Sequence, residues 1–554
     1  MGLLLLAITL AIVFSLIMYS KTCNENKNIH LINNGLIIVL TLLLNLIDIN
    51  KGFNIIRLFS LLITSLLFYN VLSKKLFNKA FDLNNNLEKN IKLIGWSLIL
   101  IVFIFSLLNI DKYYLRMPLD YETFKVDKNP YPLLFEGFLD GHLYINILPD
   151  PKLALLENPY AYRPNVDYLW DFCYYNNHYY VYFGVAPVIL FYFPIYILTL
   201  GNLIPTYELV NIFLFILAFT YSTLAFIRVY KHFKKNISIP IFIIIIISLF
   251  ICGGYGLIAL AFDPLYNTPI LCGTTFIYIL IYYAFKAIEE DNKLSFALVG
   301  FAFTVILASR PNLAVIIFPL LVFLIPYLFN NFKKNIINVL PCIITLTIGL
   351  SLLGTYNFLR FGNPLDFGSN YQLTVSDVSK NKILLENIPA ALYYYLFQPP
   401  LPQTSIPYLR ICALDIKWFK LSHYTYTYPT IGLFTIPLCL LSFLGFNKNN
   451  ELKYRWFNFF FILNIFILSI FNFSLAGVHF RYLMDLLPMT IFISLLNIAI
   501  TFSNIKDNKD IFLGVIIVII VLTIYYFLNL YVNELYIRLN NNLWLKNLIY
   551  NLIR

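Results

Sequence analysis

The sequence predicts an all-α polytopic membrane protein, and three observations carry that prediction. The 554 residues are 60% hydrophobic and only 12% charged, with a mean hydropathy of +0.75. Apolar runs of about 20 residues recur from end to end, the length a helix needs to cross the hydrocarbon core. The excess of Lys+Arg over Asp+Glu, 39 against 28, falls mainly in short loops between those runs, the positive-inside signature of cytoplasmic connections. Backbone groups have no water to bond in the bilayer, so the runs must be helices, and the alternation of an outer-membrane barrel is absent. Charge so placed reports topology, and no nucleic-acid partner is expected.

Taken in order, apolar segments at about 2–19, 31–49, 53–73 and 93–110 predict four N-terminal helices. The first reads as retained, because it lacks a basic leading region and a small-residue cleavage site. Lys74, Lys75, Lys79, Lys89 and Lys92 place the third connection inside, which puts the stretch 111–180 outside. The run 181–200 is long enough to span but is broken by Pro187 and Pro194. Reading it as an interfacial or re-entrant piece keeps Arg228, Lys231, Lys234 and Lys235 on the cytoplasmic side. Helices follow at about 206–229, 239–261, 268–287, 295–308, 312–329 and 337–357, then a second external loop at 358–427. Four more helices at about 429–445, 456–475, 482–501 and 511–531 bring the expectation to about 14 spans with both termini outside. Three regions result: a three-helix extension over 1–92, a transmembrane core over 93–501 carrying both long loops, and a last helix with an external tail over 502–554. No soluble domain with a core of its own is expected.

Seven scattered cysteines show neither metal-ligand spacing nor a disulfide framework. Phosphate loops of nucleotide enzymes, a GxSxG elbow and HExxH are missing, so no cytoplasmic nucleotide-driven reaction is supported. Chemistry is expected in the loop 111–180, which holds ten of the 28 acidic residues, because loops of such length are uncommon without a function. Its stretch Glu136-Gly-Phe-Leu-Asp140-Gly-His142-Leu-Tyr144 offers carboxylates at the membrane boundary. Either could act as a general base toward a hydroxyl, or be a turn or cap residue. Farther along, Trp170, Asp171 and His178 stand among tyrosines suited to the apolar face and hydroxyl rim of a pyranose, or to an interfacial belt. With no second ligand at metal spacing, His178 reads as a hydrogen-bonding loop residue.

Arg310-Pro311 interrupts two short apolar runs. The cation calls for a phosphate or an acidic partner, or snorkels from a helix end. Arg360, near Asp366 and Tyr371, breaks the positive-inside habit and either grips a phosphate or pairs with Asp366. Arg481 and Asp485 stand one helical turn apart, where they can pair. Asp263 sits in a turn between helices.

In layout the chain resembles the multi-spanning GT-C glycosyltransferases, the group that includes protein O-mannosyltransferases and the aminoarabinose transferases of lipid A. The resemblance runs over about 93–501: a helix, an acidic external loop, the aromatic stretch Tyr179 to Leu200, a helix ending in Arg228 to Lys235, a turn at Asp263 to Asn267, the break at Arg310-Pro311 and a late Arg481-Tyr482. It implies transfer of a sugar from a polyprenyl-phosphate donor to a glycan, lipid or protein acceptor at the outer face of the membrane. Asp140 would be the base, with Glu136 or Asp120 as substitutes, and Arg310, Arg360 and Arg481 would hold the lipid phosphate. His142, Trp170, Asp171, His178, Asp263 and Tyr371 would meet the substrates. Three helices more than the pattern stand at the start, and Asp111 lies too near the helix end to supply the acidic pair usual close behind the first family helix. No cofactor is called for, and metal dependence is left open. The alternatives are a transporter or flippase of a lipid-linked saccharide, and a non-catalytic protein of envelope assembly. The absence of a cleaved signal and of a soluble domain suits a prokaryotic plasma membrane.

Overall fold

The computed structural model describes Gly35 and residues 80–108, 130–161, 163, 165–182, 184–234, 236–256, 264–374, 377–404, 409–411, 430–505 and 509–538. In chain order its main elements are β1 Ala80–Asp82, α1 Asn85–Leu108, α2 Pro130–Leu139, β2 Cys173–Tyr175, β3 His178–Tyr180, α3 Val188–Leu198, α4 Tyr207–Phe233, β4 Asn236–Ser238, α5 Ile239–Cys252, α6 Pro264–Glu290, α7 Lys293–Leu307, α8 Ile317–Asn330, α9 Phe332–Phe361, α10 Leu452–Ala476, α11 Phe480–Leu483, α12 Leu487–Asn504 and α13 Lys509–Arg538. Among the described residues seven helices are long and apolar enough to cross a membrane: Tyr207–Phe233, Tyr266–Glu290, Pro311–Asn330, Phe332–Phe361, Leu452–Leu475, Phe480–Asn504 and Lys509–Leu530. The segments expected at 2–19, 31–49 and 53–73 lie outside the described residues, Gly35 excepted, as do Asp111, Asp120 and Asp263.

Two expected spans form other elements, each for a local reason. Helix α5 stops at Cys252 because Gly253 and Gly254 follow, the second with φ of 81°. Helix α7 matches the expected segment and stops at Leu307, four residues before Pro311. The segment expected as a helix at 429–445 winds as a 3₁₀-helix over Pro437–Phe446. Its neighbours hold it so: Asn497 Nδ2 donates to the carbonyls of Leu441 and Ser442, and the Leu438 N–H donates to Thr523 Oγ1. Side chains thereby satisfy groups that an α-helix would have bonded internally.

The stretch 181–200 contains only the eleven-residue α3, about 16 Å at 1.5 Å per residue and too short to span. Pro194 lacks the N–H that would reach Leu190, and the preceding turn widens to a π-helix over Val188–Tyr192, with the Phe193 N–H on the Val188 carbonyl.

Helices α1, α4, α6, α7 and α9 pack in that order, each on the next. Helix α12 is buried along its length and touches α4, α5, α10, α13 and the 3₁₀ segment. One end of the bundle is tied by ion pairs. The Arg228 guanidinium, at the last turns of α4, meets Glu88 of α1 at 2.8 Å and Glu289 and Glu290 of α6 at 3.0 and 2.6 Å. Asp291 receives Lys334 at 2.6 Å on the same side. Lys92, Lys231 and Lys286 stand at this end, and the described parts of the two long polar loops meet each other.

Candidate functional site

The two long loops are stitched together by their backbones. The Asp171 N–H donates to the Leu373 carbonyl at 3.0 Å, and the Leu373 N–H returns to Phe172 at 2.9 Å. Cys173 bridges Gln372 beside them, and its thiol donates to the Gly368 carbonyl at 2.9 Å. Arg163, buried and stacked on Tyr168 at 4.2 Å, donates to the carbonyls of Pro159, Ala161 and Thr374. The hairpin β2–β3 projects from this seam on a two-residue turn, Asn176-Asn177, both with positive φ. Asparagine tolerates that conformation better than most residues.

Beneath the seam lies a buried cluster of opposite charges. Asp171, at φ of 60° and 6% exposed, accepts a hydrogen bond from the Tyr266 hydroxyl at the start of α6. Over the Tyr266 ring, 3.7 Å from its centroid, lies the Arg481 guanidinium. The next residue, Tyr482, stands between the two arginines, its ring centroid 5.2 Å from Arg481 and 5.4 Å from Arg310. Arg310 in turn grips Asp485 with two nitrogens, Nε to Oδ1 at 2.7 Å and Nη2 to Oδ2 at 2.8 Å. Asn312 and Asn472 add Nδ2 donors to the same Oδ2, at 2.9 and 3.0 Å. Two arginines and two aspartates balance formally, which is what makes such burial tolerable. The side chain of Arg310 fits because α6 carries Gly273 there, where a Cβ would stand 3.3 Å from the Arg310 Cβ and 2.8 Å from Leu313 Cδ1.

The candidates from sequence fall into two groups. Asp171, Arg310 and Arg481 come together in this cluster. Asp140 lies apart from it, exposed, accepting from Asn146 Nδ2 at 2.6 Å. Glu136, half-buried at the end of α2, has its carboxyl pushed up by burial and by the charge of Asp140. His142 and His178 flank the Tyr144 ring at 3.9 and 4.0 Å, each with Nδ1 on a backbone carbonyl. Tyr371 packs on Tyr175 at 4.7 Å, and Trp170 lies beside Tyr168.

Two pairings expected from spacing take other partners. Residues 484–486 form turns that separate α11 from α12, so Arg481 and Asp485 do not share a regular helical face and Asp485 binds Arg310. Arg360 does not reach Asp366. It is buried 3.9 Å from the Tyr356 centroid and 4.6 Å from that of Phe361, donating to the Val181 carbonyl and Asn357 Oδ1. The Asp366 carboxylate accepts from the Gly368 N–H. Asn312, Asn472 and Tyr266 are the members that sequence reasoning missed. Asn472 carried a signal, an amide between two phenylalanines inside an apolar helix, where an unbonded amide is costly.

An apolar cavity of about 360 Å³ is lined by Phe138, Leu190, Val305, Ile348, Leu353 and Tyr356 among others, and by no side chain of the cluster itself. Val185 and Ala186 on one wall follow Tyr182 and Gly184, and Ala308 on another precedes Arg310 by two residues. The Ala186 N–H donates to the Ala308 carbonyl at 3.0 Å, which fixes the two walls to each other. Among the described residues no three His, Cys, Asp or Glu side chains stand close enough to share a metal ion.

Helices of spanning length, with buried ion clusters at both ends, mark a multi-pass membrane protein. No protein-family profile, no curated protein and no solved structure matches the chain.

Proposed function

We propose that the chain is a membrane glycosyltransferase that moves a sugar from a polyprenyl-phosphate donor to an acceptor hydroxyl at the outer face of a prokaryotic plasma membrane. The observation that carries the reading is an apolar cavity whose walls include Ala308, two residues before Arg310, and Tyr356, on which Arg360 packs. That pairing suits an amphiphile with an anionic head and a hydrocarbon tail. In the proposed reaction Arg310 and Arg481 face the donor phosphate, and Arg360 serves as scaffold. The acceptor oxygen attacks the anomeric carbon while its proton passes to a carboxylate. The bond from that carbon to the phosphate oxygen breaks, and the electron pair leaves with the phosphate, whose growing charge the guanidinium groups offset.

The resemblance in layout points to Asp140 as base, whereas the geometry favours Asp171, which is buried beside Arg481. The half-exposed rings of His142, His178 and Tyr371, with Trp170, offer surface for the acceptor. The experiment is transfer of radiolabelled sugar from a polyprenyl-phosphate pool by purified protein in lipid. Asp171→Asn is expected to lose at least about a hundredfold in rate, the usual contribution of a positioned base. Full activity in that variant, with loss in Asp140→Asn, would return the role to Asp140.

Interrupted helices favour a second reading. The 3₁₀ turn after Arg310, the π turn in α3 and the 3₁₀ segment Pro437–Phe446 are the kind of broken helix from which transporters build sites. A lipid-linked saccharide that crosses vesicle membranes without transfer of its sugar would select it.

A further inference from the structure

We infer that Asp485, together with Asn312 and Asn472, is a positioning set that locks the Arg310 guanidinium so that its remaining terminal nitrogen, Nη1, is presented to a phosphate. The inference rests on the reading of the site as one for a lipid phosphate.

The carboxylate of Asp485 has no exposed surface, whereas the Arg310 side chain is 15% exposed, so the open edge of the pair belongs to the arginine. Nε and Nη2 are taken by the two carboxylate oxygens. Nη1 has no hydrogen-bond partner among the described residues. Neutralising one buried cation would need only the carboxylate. The two amides add something different: they come from separate elements, the turn after Arg310 and the buried face of α10, and both converge on Oδ2. Oδ2 thus receives three donors and Oδ1 one, which leaves the carboxylate no room to rotate and gives the guanidinium plane a single orientation. Asn312 Nδ2 also reaches Asn472 Oδ1 at 3.0 Å, so the amides brace each other. Gly273 removes the side chain that would otherwise crowd Arg310 from behind. A planar cation held along one edge with the other open is the arrangement by which arginine recognises phosphate with defined geometry.

Arg360 supplies the contrast. It stands close to Tyr356, a lining residue of the same cavity, yet its two terminal nitrogens are spent on Val181 and Asn357. Of the two, Arg310 has a terminal nitrogen left for a ligand.

The test measures head-group selectivity, which a purely structural role would not move. Wild-type protein in nanodiscs is titrated with a polyprenyl monophosphate and with the neutral polyprenol of the same chain length. The wild type is expected to prefer the phosphate by at least about tenfold. Asp485→Asn places an amide donor against donors, releases the guanidinium, and is expected to cut that preference to threefold or less while leaving polyprenol affinity unchanged. Asn472→Ala keeps the carboxylate and removes one brace; it is expected to lower the preference by an intermediate factor, and it decides the question if the first variant does not fold. A preference retained or raised in the folded variants overturns the positioning role alone. A wild type that does not distinguish phosphate from alcohol overturns the lipid-phosphate reading itself.

Discussion

The contact of α7 with α9 gives the sharpest stability prediction. Gly300 and Thr304 of α7 face Thr345 and Gly349 of α9, small residues four apart on each partner, which lets two backbones approach closely in a membrane. A Cβ on Gly300 would overlap Thr345 Oγ1 and the Cys342 carbonyl oxygen and stand 3.1 Å from the Leu346 nitrogen. Backbone atoms cannot rotate aside, so Gly300→Ala forces the helices apart. Overpacking of this kind costs about 1–3 kcal/mol. The bond from Thr345 Oγ1 to the Ala297 carbonyl across the contact, 2.9 Å long, adds up to about 1 kcal/mol when lost. The gain from replacing a helical glycine returns about 0.5–1 kcal/mol. A net loss of about 1–2 kcal/mol is expected. On the same α9, a Cβ at Gly354 would meet only Pro364, its Cβ at 3.4 Å and its carbonyl oxygen at 4.0 Å, so Gly354→Ala keeps the helical gain and is expected to stabilise by about 0.5 kcal/mol. Unfolding in mixed micelles with increasing dodecyl sulfate measures both. The same sign of change for the two substitutions would refute the packing argument.

Two further predictions concern charge. The Glu136 carboxyl is raised in the fold, so the folded state binds its proton more tightly than the unfolded chain, and its charged form is a penalty that grows as pH rises above about 4.5. Glu136→Gln is therefore expected to raise the thermal midpoint at pH 8 and leave it unchanged at pH 4; an equal gain at both values would point to packing instead. At the opposite end of the bundle, Glu88→Ala removes from buried Arg228 the partner held by both Nε and Nη2, and from Tyr282 its acceptor. The expected loss is about 3 kcal/mol, the low end for breaking a buried pair, because Glu289 and Glu290 still hold two nitrogens. A loss under about 1 kcal/mol in the same micelle assay would show that the α6 carboxylates suffice.

The helices were legible where the signal is additive over many residues. The run Tyr207–Phe233 lies within four residues of the segment expected from apolar length alone, and the bilayer admits no other backbone solution. Prolines also spoke plainly: Pro187 and Pro194 marked α3 as a short piece, and Pro311 marked the break before α8. The ion cluster was half legible. Arg310 announced its need for a partner by being a cation between two apolar runs, but the partner stands 175 residues away, and nothing in local spacing selects it. Spacing instead suggested Arg481 for Asp485, an inference that requires an unbroken helix through 484–486. Arg360 was visible as an anomalous outside cation, yet its use depends on the Val181 carbonyl, a backbone group that no side-chain pattern reveals. The separation of Asp140 from Asp171 is of the same kind. Both are loop carboxylates in sequence, and only the meeting of two distant loops buries one and leaves the other in water.

That meeting binds two distant stretches of sequence into one heritable unit. Because the Asp171 N–H hangs on the Leu373 carbonyl, the place of this carboxylate is written partly in residues 372–374, two hundred positions later. Substitutions in either stretch are therefore expected to need compensation in the other. A graft of the first loop onto another scaffold would carry the aspartate without its address, and a graft of both, joined through Arg163 and Thr374, would carry the address without the Tyr266 and Arg481 that the carboxylate meets there.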